Sequence, residues 1–108
     1  MEKINILLCC GAGMSSGFLA SGARKAAKKK KLNVVVNARS QSEVSDYLSS
    51  IDVLLLGPHL TTELKAYKKL ALPYQVPVDV IPADIYATLD GERLIDYAMN
   101  LINQNKKS

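Results

Sequence analysis

The sequence predicts an α/β fold: a single domain, residues 1–108, with a four-stranded parallel sheet in the order 2-1-3-4 and helices on both faces. Three observations predict it. Short apolar runs recur along the 108 residues, at Ile4–Cys9, Val34–Val36, Val53–Leu56 and Val78–Ile81. Runs of that length suit strands covered on both faces, as parallel sheets require. The segments between them carry apolar residues at helical spacing, and strands that alternate with helices imply parallel pairing. The size and balance of the chain, 48% hydrophobic and 22% charged, are those of one globular domain. Right-handed crossovers restrict the topology, the order 2-1-3-4 places a switch point beside strand one, and ligands of such sheets bind beyond the carboxyl ends of the strands there.

Each element has its own signal. Ile4-Asn5-Ile6-Leu7-Leu8-Cys9 is a buried strand that stops at glycine. Cys10 to Gly17 reads as a glycine-rich loop, with Ser15 or Ser16 as the N-cap of the helix that follows. That helix is expected to reach about Lys31. Its sheet-facing half would carry Phe18, Leu19, Gly22, Ala23, Ala26 and Ala27, with Arg24, Lys25 and Lys28 on the other half. Residues 33–39 form the second strand. Ser42 is expected to cap a helix carrying Val44, Tyr47 and Leu48. Val53–Leu56 is the third strand, stopped by Gly57-Pro58, and Leu60, Leu64 and Tyr67 mark a third helix. Val78–Ile81, between Pro77 and Pro82, is the fourth strand. A helical turn follows at 83–89, then a last helix from about Glu92 to Asn103, with Lys106–Ser108 as a frayed tail.

Composition excludes several function classes. No apolar run approaches the roughly 18 residues of a membrane span, and the start does not resemble a secretory leader, so the cytoplasm is the expected location. The net charge of +4 and pI near 9.1 would suit a nucleic-acid binder, but only 6% of residues are aromatic and the excess is local. Arg24, Lys25 and Lys28–Lys31 fall at the end of one helix, where positive charge favours the dipole, so a solvated face accounts for them and no nucleic-acid partner is expected. Cys9 and Cys10 are adjacent, an unfavourable spacing for a disulfide, and with a single histidine they make a poor zinc site. A reactive or a buried thiol remains.

A strand, a cysteine, a glycine-rich loop and a helix in that order can converge free N–H groups and a helix dipole on one point. Both lower a thiol's pKa and both favour a phosphate oxyanion. A thiolate in such a cradle can attack a phosphoryl group. Cys10, the first loop residue, is the candidate nucleophile. Cys9 ends the strand and is expected to tuck beside a helix. Gly11, Ala12, Gly13, Met14, Ser15, Ser16 and Gly17 are the candidate phosphoryl-binding residues. Their alternative is an ordinary strand-to-helix turn with small buried cysteines.

Two phosphate-handling patterns bound the chemistry. A nucleotide P-loop needs Gly-Lys-Ser/Thr after its glycines, and no lysine follows here until Lys25. Cysteine-dependent phosphatases place an arginine six positions after the cysteine; here that position is Ser16. Without an arginine clamp a phosphocysteine should hydrolyse slowly, which suits a carrier. A phosphatase-like thiol enzyme is the alternative.

Cys10-Gly11-Ala12-Gly13-Met14-Ser15-Ser16, after an apolar strand, resembles the phosphocysteine loop of IIB components of the bacterial sugar phosphotransferase system (PTS), in the lactose/cellobiose (N,N′-diacetylchitobiose) family. Asp52–Pro58 resembles the family's third strand and exit, and Tyr86 to Gly91 its C-terminal region, so the resemblance spans nearly the whole chain. It implies the architecture shared with low-molecular-weight tyrosine phosphatases and flavodoxin-like proteins. It implies further that a phosphohistidine of the IIA component phosphorylates Cys10. Phospho-Cys10 would then pass the group to a β-linked disaccharide (cellobiose-, chitobiose- or lactose-like) held by the membrane-embedded IIC component. No cofactor or metal is implied. Where the family has glutamine after Gly-Pro, this chain has His59, a candidate auxiliary residue whose alternative is an exposed loop histidine. Asp79, Asp84 and Tyr86 are placed near the same edge, with Asp84 the candidate general acid. Met14 is assigned to the docking rim, and Phe18 to packing against the sheet.

Overall fold

The computed structural model describes residues 3–9 and 14–107, with side chains over 3–9 and 17–104. The strands are β1 (Ile4–Cys9), β2 (Val34–Arg39), β3 (Val53–Leu56) and β4 (Val78–Val80). They form one parallel sheet in the order β2-β1-β3-β4, as expected from the sequence.

Period-two alternation sends each strand's side chains into two separate cores. Ile6, Leu8, Val36, Val53 and Leu55 meet Leu19, Ala23 and Ala27 of α1 (Met14–Lys29) and Leu94, Ile95, Ala98 and Ile102 of α5 (Gly91–Lys107). On the other face Leu7, Cys9, Leu54, Leu56 and Val78 meet Val44 and Leu48, and Ala71 of α3 (Leu64–Ala71). Val44 opens α2 (Val44–Tyr47). The central strands β1 and β3 are thus dry on both sides, which is why their runs carry almost no polar residue. The remaining helix, α4 (Ala83–Thr88), follows β4 and contributes Ile85 to the first core.

Several boundaries differ from the sequence-based expectation. Met14, Ser15, Ser16 and Gly17 lie within α1 rather than in a preceding loop, so neither serine is the N-cap and Met14 is not a loop residue. First-turn N–H groups have no intrahelical partner anyway, so serine is tolerated there. The helix ends at Lys29, and Lys31 turns the chain in the left-handed conformation (φ 59°). Leu32 N–H then bonds Ala27 O at 2.9 Å and Lys31 N–H bonds Lys28 O at 3.1 Å, a Schellman closure. The α2 region begins at Ser40 rather than Ser42: the Glu43 carboxylate accepts the Ser40 N–H at 3.3 Å, and one 3₁₀ turn precedes the helix. A further 3₁₀ stretch, Pro58–Glu63, stands where the third helix was expected to start. The last helix continues to Lys107, so Lys106 and Lys107 are helical rather than a frayed tail.

Phe18 is 67% exposed, contrary to the packing assigned to it. The buried residues Leu19, Ala20, Ala23, Ala26 and Ala27 centre the inner face of α1, and at ~100° per residue Phe18 falls about 140° from that centre. The basic residues of α1 are exposed, as a solvated face requires, and Lys30 pairs with Asp96 at 3.4 Å. Among the described residues no helix is long and apolar enough to cross a membrane.

A polar tie fixes β4 to α5. Tyr97 donates its hydroxyl to the Asp79 carboxylate at 2.6 Å, and that carboxylate also accepts the Val80 N–H at 2.8 Å. Burial first, then the Asp79 hydrogen bond and charge, push the Tyr97 hydroxyl well above the ordinary tyrosine range. Burial likewise raises Tyr67. The folded state therefore holds these two protons more tightly than the unfolded chain does. Their contribution is present below about pH 10, the unfolded value, and is lost as pH climbs beyond it. Tyr97→Phe is expected to lower stability by about 1–2 kcal/mol at neutral pH and to flatten the loss above pH ~10. Urea denaturation at pH 7 and pH 11 measures both.

Candidate functional site

The carboxyl ends of the strands form a stitched row. Gly57 N–H donates to Cys9 O at 2.8 Å, and Ile81 N–H donates to Leu56 O at 2.8 Å, so the exits of β1, β3 and β4 lie side by side. The row opens at β2, where Arg39 is in register with Cys9. The first turn of α1 starts at this same edge, four residues after β1, and no acidic residue occupies it. A 16-residue helix directs its unpaired N–H groups and the positive end of its dipole at this point. Cys10, Gly11, Ala12 and Gly13 lie outside the described residues. They join the strand end to the helix start.

The other predicted residues divide. Met14, Ser15 and Ser16 are in the first turn of α1. Gly17 follows them, exposed, with open space where a side chain would be. Cys9 is fully buried, beneath the row, in contact with Tyr67 of α3. His59 is exposed on the 3₁₀ stretch after β3, its ring edge-on to Tyr86 of α4 with centroids 6.5 Å apart. The fold thus brings the only histidine to the strand-exit edge. Asp84 is ion-paired with Arg93 at 2.5 Å, and that hydrogen bond holds its carboxyl below the ordinary range. A carboxylate so held is a poor proton donor near neutral pH. Asp79 is taken up by Tyr97 and Val80.

Sequence reasoning passed over Arg39. Its signal was positional: once strand order 2-1 is chosen, the last residue of β2 stands beside the last residue of β1.

Residues 5–97 match the family model described as the PTS system, lactose/cellobiose-specific IIB subunit. The chain belongs to this family. Among IIB relatives it is 34% identical over 103 residues to the galactose-specific EIIB component of Lactococcus lactis subsp. cremoris (strain MG1363), covering 91% of this chain and 95% of that protein. The solution structure of the cellobiose-specific IIB component from Borrelia burgdorferi superposes with a TM-score of 0.80 at 33% identity, over 96% of this chain and 95% of that one. A YwlE mutant from Bacillus subtilis, of the low-molecular-weight tyrosine phosphatase fold, has a TM-score of 0.53 at 13% identity, over 97% and 98% of the two chains. It shares the fold alone. The IIB assignment agrees with the shared fold.

Proposed function

We propose that this IIB protein is a phosphocarrier that accepts a phosphoryl group on Cys10 from a phosphohistidine of its IIA component. It then delivers the group to a β-linked disaccharide held by a membrane IIC component. The observation that carries this reading is the place of Cys10 in the chain, between the end of the central strand β1 and the N-terminus of α1. Strand-end, cysteine and helix start in succession favour thiolate and phosphate alike. In the transfer the Cys10 thiolate supplies the electron pair of the new S–P bond. The N–P bond breaks, and its pair returns to the imidazole nitrogen of IIA. The second transfer forms an O–P bond to a sugar hydroxyl and releases the thiolate; the hydroxyl proton passes to a base or to solvent. Gly11 to Gly17 supply the donors for the phosphoryl oxygens. His59, beside Tyr86 on the same edge, assists proton movement in this reading. Ser16, in the position of the phosphatase arginine, leaves the phosphocysteine long-lived. The named relatives differ in sugar, galactose-specific in one and cellobiose-specific in another, so the family serves more than one sugar.

The test is intact mass after incubation with phosphorylated IIA. The protein should gain one phosphoryl group, and prior alkylation of Cys10 should block the gain. A gain that survives alkylation, or rapid hydrolysis of a general phosphomonoester, would overturn the carrier role.

Phe18 supplies an apolar docking element. It is exposed in the second turn of α1, beside the strand-exit edge. Phe18→Asp is expected to slow phosphoryl transfer from IIA about tenfold while leaving the thermal transition unchanged, since exposed anchors dominate transient interfaces. Steady transfer kinetics with the variant would remove Phe18 from the interface.

A further inference from the structure

The sheet has two lateral edges, β2 and β4. An edge strand offers its outward N–H and C=O groups to any further strand, and a second copy of the chain is a ready source of one. In a strand these groups point to alternate sides. Ile4 N–H donates to Asn33 O, so the backbone groups of Val35 and Asn37 also face β1, and those of Val34, Val36 and Ala38 face outward. Leu54 N–H donates to Pro77 O and Ile81 N–H to Leu56 O, so the backbone groups of Asp79 face β3 and those of Val80 face outward. Side chains occupy outward groups on both edges. On β2, Arg24 of α1 donates Nε to Val36 O at 2.6 Å, and Arg39 donates Nη1 to Ala38 O at 3.0 Å. Val36 has no exposed surface although it stands in an edge strand. Arg39 is itself held, with Nε on the Tyr47 hydroxyl at 3.0 Å and the guanidinium 5.3 Å from the Tyr47 ring centroid. On β4, the Asp79 carboxylate accepts the Val80 N–H at 2.8 Å. The Tyr97 hydroxyl that donates to Asp79 also lies 3.4 Å from Val80 O and covers it.

We infer that Arg24, Arg39 and the Asp79–Tyr97 pair seal the two edges of the sheet against pairing with a second copy of this chain. The seal matters most on β2. Its six residues begin Val34-Val35-Val36, strong strand formers that carry no charge. Two copies related by a two-fold axis would lay β2 against β2, antiparallel, and join their sheets into one. To do so, each outward carbonyl must exchange a guanidinium donor for a neutral N–H. Bonds from a charged donor are the stronger kind, so the exchange is unfavourable. β4 is three residues long and offers less to pair with. The inference goes beyond the phosphocarrier reading and does not depend on it.

The test is sedimentation equilibrium from micromolar to millimolar protein, with amide hydrogen exchange at the same concentrations. Wild type should remain a monomer, with exchange at Val34 and Ala38 independent of concentration. Arg24→Met/Arg39→Met should raise the dimer association constant about tenfold or more, because a two-fold pairing counts each freed bond twice. Exchange at Val34 and Ala38 should then slow as concentration rises, a change that looser packing or partial unfolding would not produce. Arg24→Met alone leaves the Tyr47 contact of Arg39 in place and should show the same change to a smaller degree; it decides the matter if the double variant melts lower. Lys25→Met/Lys28→Met removes the same charge from exposed positions of α1 and should stay monomeric. Monomeric arginine variants, equal association by the lysine control, or association without slowed exchange at β2 would overturn the inference, as would a wild type already paired through β2.

Discussion

Cys10→Ser is expected to abolish phosphoryl uptake from IIA, by a factor of about a thousand or more, with the fold intact. The two side chains differ by one atom and little volume, so packing gives no reason for a change in stability. The chemistry differs sharply. A thiol ionises near pH 8.5 without help, and a helix N-terminus brings it lower, whereas a serine hydroxyl stays protonated across the working range. Serine would need a strong general base in direct contact to be ionised, which a thiol already favoured as thiolate does not. Intact mass after incubation with phosphorylated IIA, alongside a thermal melt, decides the matter. Uptake at the wild-type rate by the serine variant would place the phosphoryl group elsewhere and remove the basis of the proposed function.

Gly91→Ala is expected to destabilise the protein by about 3 kcal/mol, the upper end of the range for forced overpacking. At the start of α5 the backbone of Gly91 rests against the backbone of α1. A Cβ there would fall 2.5 Å from Gly22 O and closer still to Gly22 C and Ala23 N. Backbone atoms cannot rotate aside as a flexible side chain can, so α5 must slide off α1 and open the core they share with the sheet. For a domain of this size the melting temperature should drop by roughly 10 °C or more. Gly22→Ala is the matched control. Its Cβ would meet Leu89 O at 3.5 Å, ordinary contact, and alanine in a helix interior is favoured over glycine by up to about 1 kcal/mol. Equal melting temperatures for Gly91→Ala and wild type would show that the helices approach less closely than described.

The strands were legible in the sequence because each is a run of β-branched and aliphatic residues bounded by glycine, proline or a polar residue. A central parallel strand needs apolar side chains on both faces, and few other elements ask for that. Crossover handedness restricted the order to a few choices, and the place of the site followed from the order 2-1-3-4. Helix ends were less legible. Local signals at Ser15, Ser16 and Ser42 point to caps, yet the chain starts its helical turns earlier at both places. A serine satisfies the first turn as well as the cap, so residue type alone does not separate the two.

The sequence by itself determined the alternation of strands and helices, the burial of Cys9 and the candidacy of Cys10, because these depend on covalent order and on period-two or period-3.6 patterns. Only the tertiary structure decided which residues from distant segments share the strand-exit edge. It set Arg39 beside Cys9, turned Phe18 to solvent, brought His59 against Tyr86 and gave Asp84 to Arg93. These outcomes depend on register between strands and on the rotation of each helix about its axis. Both are fixed by packing summed over two whole cores, and no short stretch of residues records them.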